Sequence, residues 1–155
     1  MAFDPQSFME MSTDDEMDTS IPAITPADYA ALIKKVTPHP LKDKDTGQTR
    51  TDTIRLQVDY LIVDDELKAL REMPEGVPVS DSIFIEFTPE GGFATATGKN
   101  VRLGALREAL GLNGAGFNLG LLNGAGPLLI RIKNTPNEDD PEAEPYNNVQ
   151  RVAAI

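Results

Sequence analysis

The sequence predicts a mainly β domain with one helix, its elements in the order β-β-β-α-β-β, behind a disordered acidic N-terminal tail. Three observations carry this. Ile54, Leu56, Val58, Tyr60 and Ile62 alternate with Arg55, Gln57, Asp59 and Leu61, the period of two that marks a strand with one buried face. The period then changes, with Leu103, Leu106 and Leu110 at helical spacing. The charge is also segregated. Residues 1–20 carry −6 and residues 134–145 carry −5 without a single Lys or Arg, which accounts for the whole net charge of −11.

Residues 1–25 combine acids, Ser, Thr, Pro and Met with no apolar periodicity, the composition of a mobile tail. A short helical turn over 4–10 would let Phe3 and Phe8 dock. Residues 29–37 read as a first strand that ends at the Pro38-His39-Pro40 breaker, and the loop 41–50 holds turn chemistry. The alternating segment 51–63 is the next strand, and 64–76 a polar connector with a helical turn over 65–73. In 82–88 Ile83, Ile85 and Phe87 alternate with Phe84 and Glu86, the third strand. A Gly- and Thr-rich loop, 89–98, precedes the helix. Asn100 is placed as its N-cap, Gly111 as its stop, and Gly104 as a point of close approach to another backbone. Asn-Gly-Ala-Gly occurs at 113–116 and again at 123–126. Residues 128–133 and 146–155 complete the strands, separated by the acidic loop.

This order is that of an OB-fold, a five-stranded Greek-key barrel with its helix between the third and fourth strands. The division expected is an acidic tail, 1–25, and one OB-fold-like domain, 26–155. The 155 residues suffice for one core. Cysteine is absent and His39 is the only histidine, which excludes disulfides, thiolate chemistry and histidine-rich metal sites. No apolar run approaches the roughly 18 residues of a membrane span, and no signal segment opens the chain. A cytoplasmic protein without cofactor or metal is expected.

Several motifs have a plainer account than the chemistry they suggest. Gly98-Lys99-Asn100 after Gly92 departs from a phosphate loop in spacing and lacks the Ser or Thr after its lysine. Asp43-Lys44-Asp45-Thr46-Gly47 misplaces the glycine of a calcium loop and reads as a turn. Glu66 and Lys68, with Asp52 or Asp59, have the residue types of a metal-dependent nuclease but fall in a polar connector. The Asn-Gly-Ala-Gly repeats read as tight turns rather than a phosphate cradle, and loop 134–145 as solvated acid rather than a cation site.

The strands offer the best candidate. With the Ile54 series in the core, Arg55 and Gln57 face outward, and Phe84 points away from Ile83 and Ile85. An exposed aromatic beside an arginine is the unit that holds single strands, since the ring stacks on a base and the cation meets the phosphate. Arg131 and Lys133 share one face of the fourth strand. Lys34, Lys35, Lys42, Lys44 and Arg50 cluster around the first strand and its loop. The alternative is an ordinary solvated face with Phe84 beneath the helix or the tail.

The layout adds a resemblance. An acidic lead-in is followed by Pro26-Ala27-Asp28-Tyr29-Ala30-Ala31-Leu32-Ile33, and a Thr46-Gly47 loop enters the strand 54–62. Leu103-Gly104-Ala105-Leu106-Arg107-Glu108-Ala109-Leu110-Gly111-Leu112 comes next, and Tyr146-Asn147-Asn148-Val149-Gln150-Arg151-Val152 near the end. Over residues 26–155 the chain resembles phage-encoded single-stranded DNA-binding proteins with an OB-fold. The resemblance implies sequence-tolerant, non-catalytic binding of single strands during phage replication or recombination, in the host cytoplasm. Cellular members of the wider class carry an acidic C-terminal tip that recruits replication enzymes. Here Val152-Ala153-Ala154-Ile155 is apolar and expected in the barrel, while the acidic segment is N-terminal. Residues 1–20 are therefore expected to recruit a replication or recombination protein, or to compete with DNA for its groove. The alternative function is a phage structural or capsid-accessory protein acting through protein–protein contacts.

Overall fold

A computed structural model describes residues 4–17 and 22–155. Their strands are β1 (Asp28–Lys42), β2 (Thr49–Ile62), β3 (Val77–Glu86), β4 (Leu128–Thr135) and β5 (Tyr146–Ala153). The helices are α1 (Pro5–Glu10), α2 (Asp65–Arg71) and α3 (Val101–Ala109), with a 3-10 turn at Leu119–Leu122. The protein is thus mainly β, built on one antiparallel sheet in the order β3-β2-β1-β4-β5.

β2 buries the alternating residues as its period requires: Leu56, Val58, Tyr60 and Ile62 face the core. β3 answers with Val77, Val79, Ile83 and Ile85, so it begins five residues before the expected strand. Pro78 and Ser80 hid that start by interrupting the apolar run on the solvent side. From β1 come Ala31 and Ile33, from β4 Leu128, Ile130 and Ile132, and from β5 Val149. Leu103 and Leu106 of α3, Leu122 of the 3-10 turn, Leu67 of α2 and Ile24 before β1 complete the core.

β1 does not stop at its prolines. It continues through Pro38 and Pro40, opposite Leu56 and Ile54 of β2, to Lys42. The Val36 N–H points away from β2, to Asn123 Oδ1 at 2.9 Å. By the period of two, positions 38 and 40 turn the same side outward, where a strand edge needs no donor. β4 pairs with β1 only at Asp28–Ala31, which leaves that edge open further along. The second Asn-Gly-Ala-Gly takes over part of it, since Gly124 N–H donates to Ile33 O and Ile33 N–H to Ala125 O. The identical first repeat remains a turn, its Gly114 carbonyl held by Arg107 at 3.0 Å.

The sheet is not closed into a barrel. β3 and β5 are its edges, and α3 lies against both. Asp81, opposite the inward Val58, places a largely buried carboxylate on the core side of the β3 edge. Arg102 of α3 pairs with it at 2.5 Å and also donates to Ser82 O, so the seam holds an ion pair instead of a strand ladder. An inward charge on an edge strand opposes edge-to-edge pairing.

The helices differ from expectation in three respects. α2 is a helix in its own right, capped by the Asp64 side chain on Leu67 N–H at 2.9 Å, and only Leu67 is buried. That single apolar anchor explains the absent periodicity. Asn100 does not cap α3 with its side chain. Its Oδ1 accepts from Glu86 N–H, and its Nδ2 donates to the Glu86 and Ala94 carbonyls, tying the end of β3 to the loop before α3. A Cβ on Gly104 would meet nothing within 4 Å, so no backbone lies close to it.

At the N-terminus, α1 matches the expected turn, with Asp4 Oδ1 accepting from Gln6 N–H at 3.1 Å. Residues 1–3 and 18–21 lie outside the described residues, and with them the expected docking of Phe3 and part of the acidic segment. The folded body already includes Ile24, which is buried; its N–H donates to Asn147 Oδ1 at 2.9 Å. Near the C-terminus only Val152 of the last four residues packs against the core, and Ile155 is exposed.

Candidate functional site

The face of β1, β2 and β3 turned away from the core is organised in rows. Arg55 lies directly opposite Phe84 on β3 and opposite His39 on β1, so these three residues form one line across three strands. Phe84 is 59% exposed, an apolar ring open to solvent on a sheet surface. Neither the helix nor the described part of the tail covers it. Arg55 Nη1 donates to Ser82 Oγ at 3.0 Å, which holds the guanidinium along the face beside the ring.

The next rows are polar and internally bonded. Gln57 Nε2 donates to Asp59 Oδ1 at 3.0 Å, and Ser80 Oγ donates to the same oxygen at 2.6 Å. The bond from Gln57 chiefly holds the Asp59 carboxyl below its ordinary value, helped by Ser80 and by the charges of Lys35 and Lys34. His39 Nε2 lies 3.1 Å from Gln57 Oε1.

Beyond this face the β1–β2 ribbon continues past β3, with Lys42 opposite Thr49 and the turn set by Gly47 at φ +71. Asp43 Oδ1 accepts from the N–H groups of Asp45 and Thr46, so the calcium-like motif is a turn closed on itself. Lys42 and Lys44 are exposed and make no ion pair among the described residues. Arg50 is committed to Asp52 through two bonds of 2.9 Å. Lys34 sits at the β1 bulge between Ile33 and Lys35.

Arg131 and Lys133 share the outward face of β4, but they do not join this group. Arg131 pairs with Asp28, whereas Arg55 pairs with His39. The two rows are about 35 Å apart along β1. Arg131 is also held by Asp28 at 2.8 and 3.0 Å, and Lys133 lies opposite Asn148 of β5. The acidic loop after β4 lies beyond that far end, where Glu144 accepts from Ala23 N–H at 3.2 Å. Acidic loop and basic hairpin therefore occupy opposite ends of β1. Sequence reasoning missed His39, Ser80 and Ser82; it turned Gln57 outward beside Arg55 but did not foresee its bond to Asp59. The signal for His39 was present, because the period of two runs on through the prolines.

A separate cleft of about 150 Å³ opens at the β3–β5 seam, lined by Tyr60, Asp81, Ile83, Arg102, Leu106 and Arg151. Burial raises the Tyr60 hydroxyl and the Asp81 carboxyl above their usual values, although Arg102 opposes the latter. Glu66 is exposed on α2 and Lys68 pairs with Asp65 at 3.3 Å, so neither meets Asp52 or Asp59 in a shared pocket. Lys99, of the phosphate-loop-like segment, pairs with Glu86. Among the described residues no group of three or more His, Asp or Glu side chains could hold a metal ion, and no helix is long and apolar enough to cross a membrane.

Comparison with protein-family models, with curated proteins and with solved structures gave no match.

Proposed function

We propose that this protein binds single-stranded DNA, without catalysis and with little regard to sequence, on the outer face of β2 and β3 and along the β1–β2 hairpin. The observation that carries the reading is the exposed Phe84 directly across from Arg55. A ring open to solvent offers a base a stacking surface, and the adjacent guanidinium offers its phosphate a counter-charge. Lys42 and Lys44 extend the cationic track along the hairpin.

The fold is read as an open form of the OB-fold. OB-folds take oligonucleotides on the face of strands 2 and 3 and on the loops joining strands 1–2 and 4–5. The central place of β1, the approach of β3 to β5 and the position of α3 across their seam support this. The 4–5 loop is acidic here, so the hairpin and the β2–β3 face carry the ligand. The proposed setting is phage DNA replication or recombination, with the acidic N-terminal segment as the contact for a protein of that machinery.

The test is fluorescence anisotropy of a labelled 30-nucleotide oligo-dT against a duplex of equal length at two salt concentrations. Salt-sensitive binding to the single strand, with much weaker duplex binding, is expected. Phe84→Ala should weaken it at both salts, by about 1–3 kcal/mol for each base that stacks on the ring. Absence of binding to either, with residues 1–20 removed as well, would turn the reading to a structural phage protein.

A further inference from the structure

His39 stands in the row of Arg55 and Phe84, and its hydrogen bond fixes which of its nitrogens can take up a proton. An ionised carboxylate only accepts hydrogen bonds. Asp59 therefore requires the NH2 of the Gln57 amide, and the amide oxygen is left facing His39 Nε2. An oxygen facing a ring nitrogen requires N–H there, so the neutral ring carries its hydrogen on Nε2 and leaves Nδ1 bare. Ser80, donating to the same Asp59 oxygen, braces the chain from the other side.

Protonation at Nδ1 thus breaks no bond in this network. Nε2–H donates to Gln57 in both states, and the only change is a positive charge added beside Arg55. The charged groups around His39 are few. Arg55 faces it across the ladder on β2, and Asp59 is reached through Gln57. Lys35 lies further along β1, and Glu86 of β3, beyond Phe84, is held by Lys99. On its other side β1 has no paired strand at this position, since pairing with β4 stops at Ala31.

We propose that His39 is a pH-operated cation of the oligonucleotide site, which tightens the hold on phosphate below neutral pH without rearranging the face. The proposal rests on the single-strand reading above. Histidine is the side chain whose charge ordinarily changes between pH 5 and 8, and this chain has a single one. Linkage makes the effect reciprocal: a bound polyanion must favour the imidazolium as much as the imidazolium favours the polyanion.

The experiment measures oligo-dT anisotropy at pH 8.0 and 5.5 on the whole chain and on His39→Gln and His39→Arg. The wild type should bind roughly threefold tighter at pH 5.5, the scale of one added exposed ion pair. Its salt slope should steepen by about 0.7. His39→Gln should remain weak and His39→Arg tight at both values. Nitrogen-15 spectra of the single imidazole should show the Nε2–H tautomer in the free protein and a titration midpoint displaced upward by saturating oligo-dT. A pH response retained in His39→Gln, or an Nδ1–H tautomer, overturns the proposal while leaving single-strand binding standing. No binding of oligo-dT by any of the three proteins at either pH overturns both.

Discussion

Asn100 and Gly104 show how a residue's sequence role and its structural role part company. Asn is a good helix cap by type, yet here its side chain spans from β3 to the loop after it, and its backbone sits at φ +52. Asn100→Ala loses three hydrogen bonds and strains a left-handed position, a cost of about 2–4 kcal/mol in urea unfolding. Asn100→Gly relieves the strain but not the bonds, and should fall about 1 kcal/mol short of that loss. Gly104 has open space where a Cβ would go, so Gly104→Ala should stabilise the chain by about 0.5–1 kcal/mol. Asp81 sets a pH dependence of opposite sign from the surface carboxylates. Burial raises its folded value, so the folded chain holds that proton more tightly than the unfolded one. Stability from this group is present below the unfolded value and is lost as pH rises through the folded one. Asp59 has a lowered folded value and contributes the reverse, a loss as pH falls below the ordinary 3.8. Urea titrations from pH 7 to 4 should therefore show a gain that Asp81→Asn removes.

Among the elements, the β1–β2 ribbon and β4 divide the predicted basic residues between them. The clustering of Lys42, Lys44 and Arg50 at the first loop is visible in the sequence, because residues joined by one hairpin are neighbours in any fold, whereas Lys34 lies back along β1 at the bulge, beyond the row of Arg55. Whether Arg131 and Lys133 belong with them depends on register. β4 meets β1 at Asp28–Ala31, which carries that pair to the opposite end. This separation makes a kinetic-free distinction between the two groups. Arg55→Ala and Lys44→Ala should each reduce the salt slope of oligo-dT binding by about 0.7, the release of one phosphate contact from a single strand. Arg131→Ala should leave the slope unchanged, since its charge is engaged by Asp28 and lies on the far row. Equal slopes for all three variants and the wild type would place the phosphate track elsewhere.

For the whole molecule, charge distribution matters more than its sum. The body is neutral and the excess acid is confined to the N-terminal segment and loop 134–145. Residue Ala23 is tied to Glu144, so the chain enters the folded body at the acidic end, away from the hairpin. Removing residues 1–20 makes the net charge less negative, from −11 to −5. If the segment competes with DNA, this should tighten oligo-dT binding at low salt, with a smaller gain at 0.15 M, where charges more than about 8 Å apart are screened. Unchanged affinity at low salt would end the competition hypothesis and leave recruitment of a partner as the segment's proposed role.

The sequence by itself determined the mainly β class, the core face of β2 and the places of α3, β4 and β5, because period and apolar spacing are local properties. It also put Arg55 and Phe84 on outward faces, since side-chain alternation follows from the strand alone. Tertiary structure decided what depends on partners. It carried β1 through its prolines because the edge beyond Val36 meets no strand. It left the sheet open at an inward Asp81–Arg102 pair and turned one of two identical tetrapeptides into an edge partner of β1. It also aligned His39, Arg55 and Phe84 in one row. Register, edges and long-range pairs are relations between segments, and no single segment's pattern contains them.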